Sequence, residues 1–256
     1  METFVTTDYE PKLLEVTLTS QQRVKADLVV SNPYLLNTQF TNRDMWVQGN
    51  KTFFVRMPIT PKSVKVFSTA NIVSTKLRDL PRKFTEYDIQ NYNLKNFVRF
   101  AQEFCAKCGY LKSNKQYGSD NGIFTIKYFE IIRDDNGNED ATPCRINKYT
   151  GVMEVSARRF RQMTVPMRFA LLLHEYCHFW KNVDPNSEFQ SDKNSLFVYL
   201  GLGFPRFEAY EIWIRAFDKT PTANGEPSIA HKKRLAQIRN IIDTYDKKFG
   251  EVAFIK

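Results

Sequence analysis

Two histidines and a glutamate stand together at His174-Glu175-Tyr176-Cys177-His178, and the chain has only three histidines in all. Residues four apart on a helix lie one above the other, so both imidazoles can bind one tetrahedral zinc ion (Zn2+). The residue after the first histidine is turned about 100° around the helix axis. Glu175 therefore stands beside such a metal rather than on it, where it can take a proton from a metal-activated water. The chemistry this predicts is hydrolysis, with the metal polarising a carbonyl and Glu175 acting as general base.

Two imidazoles leave a third ligand to be found. The segment Glu188-Phe189-Gln190-Ser191-Asp192 puts two carboxylates at i and i+4 on one helical face. The connector from the histidine helix is short, which makes the two helices antiparallel neighbours. Glu188 can then complete a His174, His178, Glu188 set and leave the fourth position for water. Asp192, one turn deeper, can accept a hydrogen bond from His174 and fix its ring. Asp192 as the direct ligand stays open, because the same connector can place it level with His178. Away from the histidines, Glu188 would be an acidic residue at the positive end of its own helix and Asp192 an exposed partner. Beside them, the metal reading is preferred.

The elements that must position these groups follow from the hydrophobic pattern. Thr164 can cap a helix whose first turn accepts Pro166, and this helix is expected to run to about Asn182. Ser187 with Gln190 reads as a capping box opening the next helix, to about Gly201. Pro205 begins another, to about Phe217. A loop with Pro221, Gly225 and Pro227 precedes a final amphipathic helix over residues 228–249. Upstream, Leu94, Phe97, Val98, Ala101, Phe104, Cys105 and Cys108 recur at helical spacing, with Gly109 as the stop. A β run follows over residues 123–132. Asp134-Asp135-Asn136-Gly137 reads as a turn, since it lacks the glycine position and closing glutamate of a calcium loop. A hairpin over residues 145–156 turns near Thr150-Gly151. Residues 1–80 look β-rich, with extended runs at residues 14–18, 28–30, 53–57 and 64–67. The expectation is an α+β chain with a β-rich region over 1–80 and the site in a unit spanning 81–256.

Composition narrows the class. Cys105, Cys108, Cys144 and Cys177 are too few for a disulfide scaffold, and the pair at 105 and 108 lies on an apolar helical stripe. Core packing is preferred over metal binding for these thiols. The net charge of +9 permits an anionic partner. Its densest clusters, Arg158, Arg159 and Arg161, and Lys232, Lys233 and Arg234, lack interleaved aromatics and read as a solvated basic surface. Nucleic acid is therefore a disfavoured partner. Residues 1–12 carry no charged-then-apolar leader, and no apolar run near the motif is long enough to span a bilayer. A protein without a membrane partner is expected, cytoplasmic in a bacterial host cell or associated with a virion.

The two motifs, His174-Glu175-Tyr176-Cys177-His178 and Glu188-Phe189-Gln190-Ser191-Asp192, resemble those of the gluzincin metallopeptidases. In that group a later helix supplies a zinc-binding glutamate in a Glu-x-x-x-Asp pattern. The second block is similar to that of the CAAX prenyl endopeptidase and heat-shock membrane protease family. Two departures stand out: this chain shows no membrane-spanning stretch, and Glu188 follows His178 by only ten positions. Residues 200–206 with their flanks also resemble small peptidases of bacteriophages of gut and marine Bacteroidetes. The resemblance implies a zincin-like fold, helices on a small mixed sheet, in which the strand near residues 152–156 is the edge beside the cleft. It implies zinc-dependent cleavage of a protein or peptide substrate, with His231 or Tyr210 as candidates to stabilise the oxyanion. Two other readings are carried. One is a structural protein, a partner of phage particle components, with a stabilising or vestigial zinc site. The other is a nucleic-acid-associated protease, which ranks last because a third histidine and a zinc ribbon are missing.

Overall fold

Residues 2–79 form a five-stranded antiparallel sheet in the computed structural model, which describes residues 1–216 and 228–249. Its spine is a long hairpin. β2 (Lys12–Ser31) pairs with β3 (Gln39–Met57) from Lys12 opposite Met57 to Ser31 opposite Gln39. The other edge of β2 is shared between two short partners. β5 (Asn71–Asp79) takes Lys12 to Thr19, and β4 (Ser63–Ser68) takes Leu28 to Ser31. β1 (Glu2–Thr6) closes the order on β4. Leu14, Val16, Leu18, Leu28 and Val30 are fully buried at alternating positions, the signature of one sheet face turned to a core. Residues 39–52, with their Asn and Gly, carry little strand signal, yet they are strand because β2 supplies a hydrogen-bonding edge beside them, broken only by register shifts at Gln48 and Phe40.

Helices and a second sheet follow. α1 (Tyr92–Lys107) is capped by Asn91, whose side chain accepts from Leu94 N, and buries the predicted apolar stripe. β6 (Lys115–Gly118), β7 (Thr125–Phe129), β8 (Cys144–Ile146) and β9 (Met153–Ser156) then make a mixed sheet in the order β6-β7-β9-β8. β7 and β9 run parallel and the other pairs antiparallel. This corrects the placement of residues 152–156 as the cleft edge. β9 is an interior strand, bonded on both sides, and β8 is the edge. The hairpin expected over residues 145–156 is present as the β8–β9 pair.

Arg158 and Arg159 fall in α2 (Ala157–Phe160), a single turn that leads to the histidine helix, α3 (Val165–Trp180). The Thr164 hydroxyl accepts from Met167 N, and Pro166 lies in the first turn, where no N–H is needed. α3 stops two residues short of Asn182, whose backbone N–H turns back to the Cys177 carbonyl. α4 (Glu188–Gly201) carries half of the expected capping box. Gln190 N donates to the Ser187 hydroxyl, but the Gln190 side chain accepts from Val183 N instead of returning to Ser187. α5 (Arg206–Ala216) and α6 (Ile229–Phe249) complete the described elements. Phe217 and the loop of Pro221, Gly225 and Pro227 lie outside the described residues.

One apolar cluster runs from the first sheet through α1, α3, α4, α5 and α6. Polar pins cross the same junction. Arg168 of α3 is fully buried and donates to the carbonyls of Phe160, Cys105 and Asn37, the last in the β2–β3 connection. The Thr41 hydroxyl of β3 donates to Glu208 of α5 at 2.6 Å. All four cysteines are buried and free, as core packing predicts. Among the described residues no helix is long and apolar enough to cross a membrane.

Candidate metal centre

α3 is buried at every residue from Val165 to His178, and its C-terminal half presents His174 and His178 toward α4. The His174 and His178 Nε2 atoms lie 3.1 Å apart. Glu188, in the first turn of α4, brings Oε2 to 3.3 Å from His174 Nε2 and Oε1 to 3.6 Å from His178 Nε2. Ligands on a tetrahedral zinc with bonds near 2.05 Å stand about 3.4 Å from one another. The two imidazole nitrogens stand near that spacing, Glu188 meets each of them through a different oxygen, and among the described residues His174, His178 and Glu188 are the group that can hold a metal ion.

The backs of both rings are held. His178 Nδ1 donates to the Pro185 carbonyl at 2.7 Å, in the connector between α3 and α4. A carbonyl can only accept, so the Nδ1 proton is fixed and Nε2 is the atom left for a metal. His174 Nδ1 lies 3.0 Å from Asp192 Oδ1, the same arrangement with a carboxylate behind the ring. Asp192 thus stands behind His174, and Glu188 stands in front.

Asp192 is 1% exposed, yet it collects donors from three helices. His174 comes from α3, Trp213 Nε1 from α5 at 2.9 Å, and Arg234 from α6 with Nε and Nη2 at 2.9 and 2.7 Å. The Arg234 Nη2 group also donates to Glu188 Oε2 at 2.9 Å. The sequence reading had Arg234 in a solvated basic cluster, and the structure corrects that. Its guanidinium turns inward onto two carboxylates, whereas Arg158, Arg159 and Arg161 stay near the surface in ion pairs with Glu139 and Glu130. Trp213 and Arg234 were missed for one reason. They are 21 and 42 residues from Asp192, and no local pattern marks them.

Charge distribution follows from these contacts. Burial opposes ionisation of Glu188, but the hydrogen bond from His174 and the nearby Arg234 hold it down at about 2. Burial likewise opposes the charge on Asp192, and the His174 and Arg234 hydrogen bonds outweigh it, keeping its value below the ordinary one. His174 is desolvated too, yet its bonds to Asp192 and Glu188 raise it to about 9, while burial and the His174 charge lower His178. Metal binding at Nε2 would displace a proton there.

Glu175 sits on α3 against the edge strand. Its Oε2 accepts from Ile146 N of β8 at 3.0 Å, and Cys144 Sγ is 4.0 Å from Oε1. Burial pushes its carboxyl up to about 7. That is the range in which a carboxylate works as a general base at neutral pH.

The two candidates for oxyanion stabilisation occupy different situations. Tyr210 is part-buried on α5, one turn before Trp213, with no hydrogen bond to the cluster among the described residues. His231 lies on α6 one turn before Arg234, is 4% exposed, and both its ring nitrogens lack a hydrogen-bond partner among the described residues. A buried polar group without a partner calls for an explanation, and a ligand is one.

No protein-family model matches the sequence, and comparison with curated proteins and with solved structures finds no match.

Proposed function

We propose that the chain is a zinc-dependent metallopeptidase whose metal is held by His174, His178 and Glu188. The observation that carries this reading is the convergence of two imidazole nitrogens 3.1 Å apart with the Glu188 carboxylate, whose oxygens come to 3.3 and 3.6 Å from them, with Nδ1 contacts behind both rings. Bound zinc would supply Lewis-acid chemistry, acidifying a water and polarising the scissile carbonyl. Glu175 takes the proton from the attacking water and delivers it to the leaving amine. Its raised value suits both halves of that transfer. An extended peptide would lie along the outer edge of β8, where the Ile146 N–H already points at Glu175. His231, buried and unpartnered among the described residues, is the candidate we favour as donor to the developing oxyanion.

The test is Glu175→Gln assayed on an unstructured protein substrate such as casein. The expected result is retained zinc with proteolysis reduced at least a hundredfold. Undiminished proteolysis by the folded variant would overturn the assignment. Zinc retained by a wild type that cleaves nothing across a broad peptide library would favour a stabilising site instead.

A further inference from the structure

We propose that Arg234 is a positioning residue that holds the ligand carboxylate of Glu188 in place and so makes metal binding depend on docking of α6. The inference rests on the metal site proposed above and goes beyond it. A ligand set drawn from α3 and α4 needs no third element, yet α6 reaches into it.

The geometry is specific. Glu188 is in the first turn of α4 and its side chain is 53% exposed, so packing alone does not select one rotamer for it. Beside the two imidazoles, Arg234 meets this carboxylate from α6. Its Nε and Nη2 form a two-pronged contact with Asp192, at 2.9 Å to Oδ2 and 2.7 Å to Oδ1. A planar guanidinium fixed at two points cannot rotate. Its Nη2 then stands where it also meets Glu188 Oε2 at 2.9 Å. Asp192 is in turn immobilised by Trp213 and His174, so the restraint on Glu188 is anchored in the core.

The chemical consequence concerns how Glu188 can bind. Oε2 accepts from Arg234 Nη2 and faces His174 Nε2 at 3.3 Å, while Oε1 lies 3.6 Å from His178 Nε2. Arg234 thereby restrains the Glu188 carboxylate in the orientation in which it faces both imidazoles. It also offsets part of the negative charge of the paired carboxylates. Without Arg234, Glu188 keeps its imidazole contacts but loses the anchored cation that fixes its carboxylate. Outer partners of metal ligands are worth about 10–100-fold in affinity.

The experiment is a zinc competition titration against a chromophoric chelator on the full-length protein. It compares wild type, Arg234→Met, Arg234→Lys, Glu188→Ala and the double variant Glu188→Ala/Arg234→Met. Arg234→Met should bind zinc at least tenfold more weakly than wild type. Arg234→Lys, which keeps the charge without the fork, should recover part of that loss. In the Glu188→Ala background the Arg234→Met loss should shrink several-fold, because the side chain it restrains is gone. An equal loss in both backgrounds, or unchanged affinity in a folded Arg234→Met, overturns the proposal. If Arg234→Met does not fold, Arg234→Lys decides alone: weakened zinc binding with a native circular dichroism spectrum supports it, and unchanged binding overturns it. Wild type that binds no zinc would overturn the metal site and this inference together, whereas tight wild-type binding indifferent to Arg234 overturns this inference only.

Discussion

The first sheet and the helical layer that follows it bury different things. Within residues 1–80 the buried polar side chains are hydroxyls: Thr7, Thr38, Thr41, Thr60 and Ser68. Every described buried arginine, histidine, aspartate or glutamate lies beyond residue 160, at Arg168, His174, Glu175, His178, Asp192, Glu208 and His231. Burying an ionisable group is costly unless it is paired and hydrogen-bonded, so a fold concentrates such groups where they are used. The sheet is stabilised by apolar burial and backbone pairing. The helical layer holds the candidate metal centre and gathers its charges at Asp192, on which α3, α5 and α6 converge.

Substitutions can break that contrast or sharpen it. The largest effect is expected from Asp192→Ala, which removes the buried acceptor shared by Arg234, Trp213 and His174. Removing one member of a buried charge network costs roughly 3–5 kcal/mol. Chemical denaturation should show that loss together with weakened zinc binding. Leu28→Ala, at a fully buried position of β2, should cost about 2–5 kcal/mol, the range for a large-to-small core change. Zinc affinity of its folded fraction should match wild type, and a change there would erase the division between the two regions. Thr164→Ala removes the cap of α3 and should cost about 1 kcal/mol by thermal unfolding.

The smallest effect is a pH dependence. Glu208 is buried beneath β3, and that burial raises its carboxyl above the ordinary glutamate value despite the Thr41 hydrogen bond and the Arg43 charge. The folded state therefore keeps a proton that the unfolded chain has lost. Stability falls as pH rises from the ordinary glutamate range through the raised one. Glu208→Gln should remove that part of the decline, measured as a flatter profile of unfolding midpoints from the ordinary glutamate range upward. A profile as steep as wild type would mean that Glu208 is not the group responsible.

What could be read from the sequence was whatever had a local period. The cap at Thr164, the helix under His174 and His178, the carboxylate pair at Glu188 and Asp192, and the alternating run at Leu14, Val16 and Leu18 all depend on neighbours within a turn or a strand. What could not be read depended on pairing across distance. Residues 39–52 are strand because β2 lies beside them, and β9 is interior because β8 folds back outside it. Arg234 looked like its lysine neighbours, since nothing near it in the chain shows that Asp192 and Glu188 wait across the helix interface.

The central claim is the metal, and equilibrium dialysis against zinc tests it most directly. Wild type should take up about one zinc per chain, His174→Ala and His178→Ala none at the same free concentration, and Glu188→Ala should bind far more weakly. Wild type that stays metal-free, or histidine variants that load as well as wild type, would contradict the account.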